Sequence, residues 1–111
     1  MDPTGGARGL LRIGRAAMIT IWKYPLQLVD HQELTMPRRY KLLTVQMQGL
    51  TPCLWALVDT DQPGAFDIPI DIRGTGHNAH DVLGMDYIGT IQLPDKHPAA
   101  GLVFHFFGPR P

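Results

Sequence analysis

The sequence predicts an all-β protein: a single small β-sandwich or partly open barrel of about seven short strands, with at most one short helical turn. Three observations carry this reading. Apolar residues recur at period two rather than 3.6 along most of the chain. The ten prolines and twelve glycines fall mostly between those segments, where they punctuate. No window has the apolar spacing of an amphipathic helix. A chain of 111 residues has surface enough to bury one core. We expect residues 1–17 to be a flexible extension and residues 18–111 to form the single β domain.

The elements follow in order. "ITIWKY", Ile19 to Tyr24, is β-branched and aromatic and is stopped by Pro25; Trp22 and Tyr24 share one side of it. "HQELTM" ends at Pro37 and leads into a basic turn, Arg38-Arg39. In "YKLLTVQMQ", Leu43, Val45 and Met47 alternate with Thr44, Gln46 and Gln48, the pattern of a strand with one dry and one wet face. "CLWALVD" is apolar on both faces and is expected to lie centrally, covered on both sides. After the turn "TDQPGA" comes "FDIPIDIR", with Phe66, Ile68, Ile70 and Ile72 inward and Asp67, Pro69, Asp71 and Arg73 outward. Pro69 has no amide hydrogen to give a ladder, so this strand is expected to be an edge or to be unpaired there. One helical turn is expected around Asn78 to Leu83. "DYIGTIQL" and "LVFHFF", joined by "PDKHPAAG", should form a closing hairpin. In the last strand Leu102, Phe104 and Phe106 share one face and Val103, His105 and Phe107 the other. That second face must be covered or must meet a partner.

Charge and cysteine content exclude several classes. The formal net charge is zero, which disfavours a nucleic-acid partner held by long-range attraction to phosphates. The zero is uneven: Arg8, Arg12 and Arg15 face only Asp2 in residues 1–17, leaving the remainder acidic. Cys53 is the only cysteine, so neither an internal disulfide nor a cysteine-based zinc site can form. In "PCLWALV" it reads as a small buried hydrophobe. No apolar run reaches the roughly 18 residues of a membrane-spanning helix, and the glycine- and arginine-rich start makes a poor signal peptide. The chain contains no serine, and the aspartate pairs Asp59/Asp61 and Asp67/Asp71 read as solvated or turn-forming groups rather than catalytic ones. We therefore expect no enzyme and no cofactor.

The segment "IRGTGHNAHD" concentrates the remaining chemistry. As a metal site it would offer His77 and His80 three apart, Asp81 beside them, and Asp59 or Asp61 from an earlier turn; that is too little to specify zinc. As an anion site, Arg73, Gly74, Thr75, Gly76 and His77 would supply a guanidinium, a hydroxyl and converging backbone amides to an anionic small ligand. It lacks the Lys-Ser/Thr of a Walker loop and the strand–loop–long helix frame of a dinucleotide site. As a plain loop, the glycines would supply positive φ, with Thr75 and Asn78 tying up backbone groups. Loop architecture is the favoured reading, and the Arg73–His77 anion pocket is the candidate site that remains.

The strings "TIWKYPL", "PCLWALVD", "GTGH", "YIGTIQL" and "LVFHFF" carry a resemblance over Ile19 to Phe107. They resemble a family of small proteins encoded by bacterial phages and known only as a domain of unknown function. The resemblance implies a phage origin and the cytoplasm of an infected bacterial host, and it brings no catalytic residue. The expectation that follows is a non-enzymatic binding protein that occupies a host protein or protein complex, an inhibitor of anti-phage defence of the anti-CRISPR kind being one version. Exposed strand edges and the extra aromatic faces make a homodimer or other homo-oligomer the expected state. The alternatives are a nucleotide- or small-ligand sponge using the Arg73–His77 loop, and a virion structural or decoration protein.

Overall fold

The computed structural model describes residues 18–61 and 64–110; the expected extension, residues 1–17, lies outside them. Seven strands are described: β1 (Ile19–Pro25), β2 (His31–Pro37), β3 (Tyr40–Gln48), β4 (Thr51–Asp59), β5 (Ala65–Gly74), β6 (Asp86–Gln92) and β7 (Val103–Gly108). One 3-10 turn, His80–Val82, interrupts them. Every strand pair is antiparallel, in two sheets ordered β1-β4-β3 and β2-β5-β7-β6. The protein is all-β, and its sheets do not close into a barrel.

Period-two sequence becomes core because each strand turns every second side chain toward the opposite sheet. Leu54, Ala56 and Val58 of β4 and Val45 of β3 meet Ile68, Ile70 and Ile72 of β5, Met36 of β2, Phe106 of β7 and Ile91 of β6 in one cluster. Leu54, Ala56, Ile70 and Phe106 are fully enclosed. Each large member contributes about 1.5–3 kcal/mol by leaving water. β4 is central, as expected, although its second face is only partly covered. Cys53 is buried there, but Trp55 and Leu57 are half-buried, flanked by Ile21, Lys23, Lys41 and Thr44 of the adjoining strands.

Two irregularities bend the sheets. In β3 the register slips between Leu42, opposite Ala56, and Thr44, opposite Trp55, which makes Leu43 an extra, bulged residue. The simple alternation is corrected accordingly: Leu42 takes the inward place expected for Leu43, and Leu43 is exposed. In β6 the slip lies between Tyr87 and Gly89, so Ile88 is the extra residue. Beyond these bulges β3 and β6 approach closely. A Cβ on Gly89 would stand 2.9 Å from Cγ2 of Val45 and 3.8 Å from its backbone nitrogen. Only glycine fits that crossing without displacing Val45.

Pro69 shows how β5 accommodates a missing donor. β5 pairs with β2 from Ala65 to Asp71 but with β7 only from Asp71 onward. The Ile72 amide donates to the Asp30 carbonyl at 3.0 Å, which fixes the hydrogen-bonded phase of the β2 ladder. Counting back along that phase, Pro69 occupies a non-bonded pair with Glu33, its nitrogen turned away from β2 and into a stretch β7 does not reach. The strand is thus an edge where the proline sits and interior where it does not.

Candidate functional site

Two surfaces hold the polar chemistry. The first is the outer face of the four-stranded sheet. Register aligns His31, Asp71, Phe107 and Tyr87 in one row across β2, β5, β7 and β6, and Arg73, His105 and Thr90 in the next. Asp71, expected to be solvated, is 9% exposed and has His31 and Arg73 against its carboxylate. Its carboxylate lies 2.5 Å from Nδ1 of His31 and 3.5 Å from Nη2 of Arg73, while Glu33 stands 3.9 Å from Nε2 of the same imidazole. A second chain runs beside it. His105 bonds Thr75 Oγ1 through Nε2 at 2.7 Å and Thr90 Oγ1 through Nδ1 at 2.9 Å, and Thr90 meets the Tyr87 hydroxyl at 2.6 Å. Tyr87 packs edge-on to Phe107, with centroids 5.9 Å apart.

This arrangement places each residue of the expected anion loop. Arg73 donates through Nη1 to the carbonyls of Asp30, at 2.8 Å, and Ile72, at 2.9 Å, so its fork clamps β2 to β5. Asp81 is 3.9 Å from Nη2 on the far side. Thr75 is directed to His105. Gly74 and His77 meet: the His77 amide donates to the Gly74 carbonyl at 3.0 Å, and a Cβ on Gly74 would sit 2.9 Å from the imidazole. Gly76, at φ +86°, occupies the third position of that turn, where a side chain is strained. Each of the two glycines therefore has a structural cause. His80 begins the 3-10 turn, its amide accepted by Asn78 Oδ1 at 2.9 Å. Among the described residues no three His, Cys, Asp or Glu side chains come together as a set able to hold a metal ion.

The second surface is a cleft of about 640 Å³ at the open seam between the sheets. It is lined by residues 38–43 leading into and opening β3, 86–88 of β6 and 108–109 at the end of β7. The bulged residues Leu43 and Ile88 both border this cleft, and at Val45 and Gly89 the two edges converge. Its walls mix Tyr40, Leu42, Tyr87 and Ile88 with the cations Arg38, Arg39 and Lys41. Asp86, the one acid in the lining, is held by Arg110 at 3.2 Å. Arg38 lies over the Phe66 ring, 5.5 Å from its centroid, and Arg39 is 3.9 Å from Asp59. Burial raises the Tyr40 phenol above its ordinary range. Of this surface the sequence shows only the basic turn Arg38-Arg39; the cleft itself depends on strand order.

These features define a class: a small two-sheet β protein with an open, basic, tyrosine-lined seam and a hydrogen-bonded outer sheet face. Residues 18–111 match the family described as Domain of unknown function (DUF7352), and the chain belongs to that family. No curated protein and no solved structure matches the chain. Among the described residues no helix is long and apolar enough to cross a membrane.

Proposed function

We propose that this chain is a non-enzymatic binding protein, encoded by a phage, that acts by occupying a protein or protein complex of its bacterial host. Inhibition of an anti-phage defence complex is the concrete form of this reading, and the host cytoplasm is its setting. One observation carries the reading: the cleft between the two strand edges is basic and aromatic, the composition that favours protein contact.

The test is affinity capture of the chain from infected bacterial cells, run in parallel with the charge-reversed variant Arg39→Glu/Lys41→Glu. A host protein recovered in stoichiometric amount with the parent chain, and lost with the variant, is the expected result. Recovery of no host protein by a folded chain overturns the reading. Thermal stabilisation by a nucleotide panel that Arg73→Ala abolishes would shift the function to a small anionic ligand.

A further inference from the structure

The cleft has a backbone as well as side chains. The Asp59 amide donates to the Arg39 carbonyl at 3.1 Å, which marks Arg39–Asp59 as a hydrogen-bonded pair of the β3–β4 ladder. Alternation along an antiparallel ladder then makes Tyr40–Val58 and Leu42–Ala56 non-bonded pairs. The amides and carbonyls of Tyr40 and Leu42 therefore turn away from β4 and into the cleft. β3 is the edge of its sheet, and none of these backbone groups has a hydrogen-bond partner among the described residues.

Side chains along this edge are sorted by face. Tyr40 and Leu42, opposite Val58 and Ala56, belong to the core side; Arg39 and Lys41, opposite Asp59 and Leu57, belong to the outer side. A strand laid along β3 would set alternate residues against Leu42 and Ile88 on one side and beside Arg39 and Lys41 on the other.

We propose that the cleft receives an extended segment of a partner protein in which acidic and β-branched residues alternate, and that this segment adds to β3 as a further strand. This rests on the binding reading above and names the chemistry of the partner. Charge complementarity selects an acidic segment, since three cations line the cleft, one of them, Arg39, 3.9 Å from Asp59 outside the lining, against a single acid that Arg110 holds. The chain's own residues 1–17, with three arginines and one aspartate, carry the wrong sign. Unpaired amides and carbonyls select a peptide over a nucleic acid, because only a peptide returns ladder hydrogen bonds.

The probe is a labelled peptide of about seven residues alternating glutamate and valine, a typical strand length, followed by fluorescence anisotropy with the full chain. Binding should weaken at least tenfold when lysine replaces glutamate, and at least tenfold in Arg39→Glu/Lys41→Glu. N-methylating alternate amides distinguishes strand addition from simple charge attraction without altering the protein. Methylation in one phase should abolish binding, and in the other it should leave binding intact. Equal binding by both methylated phases, no binding by the acidic peptide, or stronger binding by a single-stranded oligonucleotide overturns the proposal. Host capture that succeeds while the peptide fails removes strand addition alone; peptide binding with failed capture removes the host-occupying function alone.

Discussion

Gly89→Ala probes the crossing of β3 over β6 on which the cleft depends. Gly89 is not among the positive-φ glycines, so alanine fits the backbone, and by restricting the unfolded chain it would stabilise by about 0.4–1 kcal/mol. Against that, its methyl would lie 2.9 Å from Val45 Cγ2, well inside the roughly 3.5–4.0 Å of a comfortable carbon contact. Val45 is 4% exposed and β-branched, so it has little room to turn. Overpacking of this kind costs about 1–3 kcal/mol, and the net expectation is a loss of about 0.5–2 kcal/mol. Val45→Ala alone should cost about 2 kcal/mol through lost burial and a small cavity. Combined, the clash disappears, and the double variant should be about 1 kcal/mol or more better than the sum of the singles. Urea denaturation with unchanged m-values reads all four corners of the cycle. A Gly89→Ala protein as stable as the parent, or effects that simply add, would show that the two strands do not touch as described.

Three further outcomes are expected. Tyr24→Phe should raise the melting temperature, because the Tyr24 hydroxyl is buried without a hydrogen-bond partner among the described residues and its removal relieves a desolvated group; a loss above about 1 kcal/mol contradicts this. Burial raises the phenols of Tyr24 and Tyr40, so the unfolded chain releases those protons first, and stability present at neutral pH should decline once pH passes about 10. Tyr24→Phe and Tyr40→Phe should each flatten that decline in denaturation curves collected across alkaline pH. Asp71→Ala should cost about 1–3 kcal/mol in urea, since it removes the carboxylate beside the largely enclosed Arg73 guanidinium, which keeps its two carbonyl partners.

Strand positions and the core were legible where a side chain's burial depends on its own strand. Ile68, Ile70 and Ile72 alternate with polar residues, and they are buried because period-two spacing directs them together. Pro69 announced an edge and has one, along the half of β5 that contains it. Asp71 was illegible because its surroundings come with the pairing: His31 meets it from β2, and Phe107 stands opposite it on β7, only once the order β2-β5-β7-β6 exists. The bulge at Leu43 was hidden in "KLLTV", where either leucine satisfies alternation and only pairing with Ala56 chooses Leu42. The cleft combines both difficulties, being bordered by two such bulges on strands that do not pair with each other. Of the Arg73–His77 loop, the turn was readable from its glycines, whereas the destination of the arginine was not.

Cys53 gives the three-stranded sheet a built-in clock. It is the only thiol in the chain, 2% exposed, between Pro25 on one neighbouring strand and Gln46 on the other, with its sulfur 3.7 Å from the Thr51 carbonyl. Its side chain lies on the face of β4 turned away from the core, so its alkylation rate reports local opening of the three-stranded sheet rather than of the other sheet. Slowed alkylation in the presence of a bound strand on β3 would time the partner's residence without any engineered label.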